Sequence, residues 1–161
     1  MSEKVENLTK PDPVADFKEG IDLLKSGYPQ RALVRFRRAF ECEEQNPYYL
    51  SFFGLSMARA ERKWDQASEL CETAMQLKRQ EAQFHLNLAE VYQLAGRTSE
   101  AIETLDAALK RFGGDGRLKR ARSRVEQRRS PMLSFLNRDH VLNRHLGKLR
   151  HRALKRSGKK K

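Results

Sequence analysis

The sequence predicts an all-α fold: an α-solenoid of three helix hairpins, a C-terminal capping helix and a basic helical extension. Three observations predict it. A pattern of Ala, three residues, a larger apolar residue or Cys, two residues and Ala recurs as Ala32/Phe36/Ala39, Ala67/Cys71/Ala74 and Ala101/Leu105/Ala108, its leading alanines 35 and then 34 residues apart. Of the 161 residues only 39% are apolar and 34% are charged. That lean composition suits amphipathic helices, each of which needs one apolar stripe. The formal net charge of +12 is also divided unevenly. Residues 1–110 hold 15 Lys+Arg against 18 Asp+Glu (−3), and residues 111–161 hold 18 against 3 (+15). A near-neutral repeat body carries a basic end.

Residues 1–11 are expected to be a flexible N-terminus. Asp12-Pro13 starts the first helix, with a capping side chain before a proline in the first turn, and Asn46-Pro47 does the same for the third. First helices are expected over about 13–26, 47–60 and 81–95, and second helices over 29–45, 65–79 and 98–112. The repeats then span about 13–46, 47–80 and 81–114, within a body of 12–115. Five residues before each leading alanine stand Gly27, Arg62 and Gly96. Both glycines suit a tight turn with positive φ. Twelve residues before the leading alanine stand Gly20 and Ala89, and Leu55 in the second copy, with Gly54 beside it. Small residues here let helix backbones approach, while the larger residue of each motif fills the gap between hairpins. One hairpin cannot bury its apolar face alone, so about three are needed. Gly113-Gly114 closes the third pair. Asp115 can cap a further helix over 116–129, ending before Pro131. Its apolar residues are Leu118, Ala121 and Val125 among many arginines, the one-edged character that the end of a solenoid requires.

The period, with Gly20, Ala32, Phe36 and Ala39, then Trp64, Ala67 and Ala74, then Ala89, Tyr92, Gly96, Ala101, Leu105 and Ala108, resembles the tetratricopeptide repeat (TPR) over residues 13–115. No copy has the Trp that often opens the first helix, and Cys71 replaces a usual large residue. The resemblance implies a scaffold without catalysis that holds a peptide or helix of a protein partner in a concave groove lined by first helices. In that frame the groove residues are Phe17, Ile21, Tyr49, Phe52, Ser56, Gln83, Asn87 and Glu90, with Leu86 beside them. Phe53 reads as core; Tyr49 and Phe52 could be either core or anchors. Chaperone-binding members of the family grip a C-terminal carboxylate with Lys and Asn. The corresponding places here are Phe17, Ile21, Phe53, Gln83 and Asn87, which include no cation, so such a clamp is not expected.

No catalytic constellation is present, and no cofactor, metal or small-molecule substrate is expected. His85 reads as a structural histidine with its polar atoms satisfied. His140, His145 and His151 are spaced by five and six residues, whereas a helical metal pair needs three or four. Cys42 and Cys71 lack CxxC spacing and read as buried thiols. The glycines 113, 114 and 116 lack the Gly-Lys-Ser/Thr of a phosphate loop. No apolar run approaches the roughly 20 residues of a membrane span, and the first residues carry no secretory apolar core. The expected location is cytoplasmic, or peripheral at the inner face of the membrane.

The extension, 130–161, opens with the apolar Met132-Leu133-Ser134-Phe135-Leu136, which either docks on the solenoid or serves as a linear motif. Leu142, Leu146, Leu149 and Ala153 then form one helical stripe, surrounded by Arg144, Lys148, Arg150, Arg152, Lys155 and Arg156. Such a helix either contacts an anionic membrane surface, nucleic acid or ribosome, or an acidic partner, or it packs on its own solenoid with its charge solvated. Residues 137–161 contain no aromatic to stack on a base. The segment is also similar to the ends of some short bacterial three-repeat proteins of the same family. That likeness brings no function with it. The adaptor is the principal expectation, and a peripheral anchor built on the extension is the alternative.

Overall fold

The computed structural model describes residues 12–127 of the chain, and residues 12–125 lie in one compact unit. The described residues form seven helices and no strand. These are α1 (Pro13–Lys25), α2 (Pro29–Cys42), α3 (Pro47–Glu61), α4 (Trp64–Leu77), α5 (Ala82–Leu94), α6 (Thr98–Arg111) and α7 (Gly116–Gln127). Each of the first six packs on its successor, and α3 also packs directly on α5. First helices α1, α3 and α5 therefore form one layer of the solenoid, and α2, α4 and α6 the other.

Local chemistry sets the helix starts. Asp12 Oδ1 accepts the N–H groups of Val14 and Ala15 at 3.0 and 3.1 Å. Asn46 Oδ1 accepts that of Tyr48 at 3.1 Å, and Asp115 Oδ1 that of Arg117 at 2.8 Å. These bonds satisfy donors that a helix start leaves open. Glu81 does the same for α5 through the N–H of Gln83 at 3.2 Å. The expected second helix over 29–45 is shorter, ending at Cys42. Glu43 leaves helical geometry, its carbonyl accepts the N–H of Asn46 at 3.0 Å, and Asn46 Nδ2 donates to its carboxylate at 2.9 Å. The residue that starts α3 thus also helps stop α2.

Between the helices of each hairpin the chain turns through the left-handed region at Gly27 (φ 82°), Arg62 (φ 57°) and Gly96 (φ 77°). Glycine tolerates this at no steric cost, whereas Arg62 carries a small strain. All nine residues of the three alanine-framed motifs are completely buried. The second copy needs one correction. Gly54 lies seven residues after the first residue of its helix, as do Gly20 and Ala89, so Gly54 rather than Leu55 is their counterpart. The extra residue falls later in α3, which has 15 residues against 13 in α1 and in α5. At Gly20 a Cβ would stand 2.7 Å from the Phe36 ring, and at Gly54 2.7 Å from the carbonyl oxygen of Ala67.

Two further expectations change. Cys71 is buried, its thiol 3.4 Å from the Ser51 carbonyl, but Cys42 is exposed, being the last residue of α2. His85 is buried with its ring edge-on to Phe112 at 5.7 Å, yet its Nδ1 has no hydrogen-bond partner among the described residues. Leu118 and Val125 bury the one apolar edge of α7.

Candidate partner-binding groove

The apolar end of the first-helix layer is built on Phe17. Its ring lies 5.1 Å from Tyr49 and 5.4 Å from Phe52 on α3, and 5.6 Å from Phe36 on α2. Phe52 in turn contacts Phe36 at 5.7 Å. Aromatic pairs at such distances add to area burial. Phe36 is completely buried, whereas Phe17, Phe52 and Ile21 pack on the core with part of each side chain open. Tyr49 is only 5% exposed. Its phenol is pushed above the ordinary value, first by burial and then by the nearby Glu43.

Polar groups take over toward α5. Ser56 is completely buried and donates its hydroxyl to the Phe53 carbonyl at 2.9 Å. Asn87 is 2% exposed. It donates to Ser51 Oγ at 2.9 Å and accepts from Gln83 Nε2 at 2.8 Å. Glu90 pairs with Arg59 of α3, with Arg59 Nε at 2.6 Å from its carboxylate. Arg117 of α7 donates to Gln83 Oε1 at 3.2 Å and clasps Asp115, whose carboxyl it holds down at about 2.

The eight expected groove residues therefore separate into two sets. Phe17, Ile21, Phe52, Gln83 and Glu90 reach solvent, while Tyr49, Ser56 and Asn87 lie beneath them. Phe53 is buried and stacks on Phe40 of α2 at 5.2 Å, as its reading as core required. Sequence reasoning missed Arg59 and Arg117. Arg59 stands seven residues after Phe52, two turns along α3, so helical periodicity could have found it. Arg117 could not be found that way, because only the placement of α7 brings it to Gln83. The six basic residues expected in the extension, Arg144, Lys148, Arg150, Arg152, Lys155 and Arg156, lie outside the described residues, as do the apolar run 132–136 and residues 1–11. Among the described residues no group of three His, Cys, Asp or Glu could hold a metal ion, and no helix is long and apolar enough to cross a membrane.

The family model described as tetratricopeptide repeat matches residues 58–125. No curated protein matches the chain. Solved structures with a similar fold include the Sgt2 TPR domain from Aspergillus fumigatus, 17% identical, TM-score 0.61, covering 73% of this chain and 79% of that one. The Arabidopsis OM64 TPR domain is 17% identical with TM-score 0.60, covering 71% and 94%. The second TPR domain of human RPAP3, solved in complex with the HSP70 peptide SGPTIEEVD, is 16% identical with TM-score 0.57, covering 71% and 98%.

Proposed function

We propose that this chain, a tetratricopeptide repeat protein, is a protein-interaction adaptor that holds a partner's peptide or helix against α1, α3 and α5. The observation that carries this is the half-open aromatic surface of Phe17 and Phe52, with Ile21 alongside, on the first-helix layer. Half-buried aromatics supply apolar contact area at low entropic cost, and hot spots are often of this kind. A neighbour of the same fold is seen with a peptide bound. Tyr49, Ser56 and Asn87 support the groove floor from below, and contact falls to Phe17, Ile21, Phe52, Gln83 and Glu90. The role is that of a scaffold, with the partner supplying any chemistry.

Phe17→Ala and Phe52→Ala variants, checked for retained helicity by circular dichroism, should lose at least tenfold in affinity for a partner recovered with the full-length chain. Folded variants that still hold the partner at full affinity would remove the groove from consideration. A second reading rests on the +15 of residues 111–161: the extension anchors the chain to an anionic surface. Deleting residues 130–161 should then abolish salt-sensitive retention on anionic vesicles or RNA, and retention that survives the deletion would exclude it.

A further inference from the structure

We propose that the groove's occupant is an extended peptide with two separated features. One is an apolar side chain seated on Phe17 and Phe52; the other is an acidic segment seated on the Arg120/Arg124 face of α7. This rests on the groove reading above and adds the chemistry of the partner.

Two contacts orient α7. Arg117 reaches Gln83 on α5, and Arg122 Nε reaches Asp106 on α6 at 2.7 Å. Buried Leu118 and Val125 mark the inward edge. Successive side chains turn by about 100° around a helix. Arg124 therefore projects from the Arg117 flank, the flank toward α5, and Arg120 stands just outside it. Arg122 belongs to the opposite flank. Both Arg120 and Arg124 are exposed, and among the described residues neither pairs with a carboxylate.

Elsewhere along the layer the cations are compensated. Arg35 is held by Asp16 and Glu19, Arg59 by Glu90, and Arg117 by Asp115. Uncompensated positive charge therefore gathers at the α7 end, and uncovered aromatic surface at the α1 end. A partner that complements both is apolar at one end and acidic at the other. A nucleic acid would meet the arginines but leave the aromatic end without its match. From α1 to α7 there are three helix spacings of about 8–10 Å each. An extended chain rises about 3.3 Å per residue, so the two features of the partner lie about eight residues apart.

The test is selection of a random 14-residue peptide library on the full-length chain and, in parallel, on R120E/R124E and on the milder R120Q/R124Q. Circular dichroism checks that each variant is folded. The wild type should enrich peptides that carry an apolar residue about eight positions from a cluster of Asp or Glu. Both variants should keep the apolar preference and lose the acidic one, with about tenfold weaker binding of the selected peptides at low salt. Apolar enrichment without an acidic cluster would overturn the inference and leave the groove reading intact. Acidic peptides chosen equally by wild type and variants would assign the attraction to residues 128–161 and overturn it. Failure to enrich any apolar feature would overturn the groove reading itself. Retention of a single-stranded RNA that falls in both variants, with no peptide enriched, would replace the peptide by a nucleic acid.

Discussion

Adding a single methyl group at Gly54 tests how closely α3 and α4 are held. In Gly54→Ala the new Cβ would stand 2.7 Å from the Ala67 carbonyl oxygen, and 3.1 Å from both Cys71 Sγ and Leu70 Cβ. Ordinary contact begins at about 3.4 Å, so α4 must retreat by about 0.7 Å at its nearest point, through its rigid backbone. Overpacking of this kind costs about 1–3 kcal/mol. Against it stands the helix-propensity gain of alanine over glycine, about 1 kcal/mol. The balance is a loss of about 1–2 kcal/mol at this site. Gly20→Ala offers an internal comparison, because its obstacle is the Phe36 ring, 2.7 Å away. A ring can tilt where a backbone carbonyl cannot, so this variant should lose less. Urea unfolding followed by circular dichroism measures both, since a lower midpoint at unchanged slope reports stability. Gly54→Ala as stable as the wild type, or more stable than Gly20→Ala, would show that propensity wins and that the α3–α4 approach is not tight.

Asn87→Ala should cost about 1–3 kcal/mol, because the completely buried Ser51 hydroxyl loses its partner and Gln83 loses its acceptor; the double variant Ser51→Ala/Asn87→Leu should recover part of that loss, and its failure to do so would argue against the bond. The His85 ring is held below its usual value of about 6.5, mainly by burial and secondarily by the Arg111 charge. Its contribution is then fully present above about pH 6.5 and is lost as pH falls toward the folded-state value. Stability measured from pH 7.5 down to 5 should accordingly fall more steeply in the wild type than in His85→Gln, and parallel profiles would refute this. Thiol labelling should separate the two cysteines: a maleimide modifies exposed Cys42 in the native protein, whereas Cys71, whose thiol burial pushes up to about 12, reacts only in denaturant. Mass spectrometry showing equal native labelling would contradict the burial of Cys71.

Groove residues were only partly legible in the sequence. Periodicity placed Phe17, Phe52, Gln83 and Glu90 on one face of their helices, because side-chain direction along a helix repeats every 3.6 residues. It could not tell an open position from a covered one. Tyr49, Ser56 and Asn87 share that face and are buried, because α1 lays Phe17 over Tyr49 and α5 brings Asn87 to Ser51. Cys42 misled in the opposite direction: it follows a helical stripe but falls at the helix end, where Glu43 and Asn46 turn the chain away.

By itself the sequence determined what depends on near neighbours. Asp12-Pro13 and Asn46-Pro47 determined helix starts, and Gly27 and Gly96 the turns, because capping bonds and backbone sterics act within about four residues. The alanine-framed motif determined the buried seam, completely buried in all three copies, because one repeated spacing must meet one repeated neighbour. Tertiary structure alone decided which of Gly54 and Leu55 takes the close approach. A count back from Ala67 crosses the extra residue of α3, and only the Ala67 carbonyl facing Gly54 locates it. It also decided that Arg117 meets Gln83, 34 residues earlier, and so which flank of α7 faces α5. Such contacts join residues distant along the chain, and their geometry is fixed by packing, which no local pattern encodes.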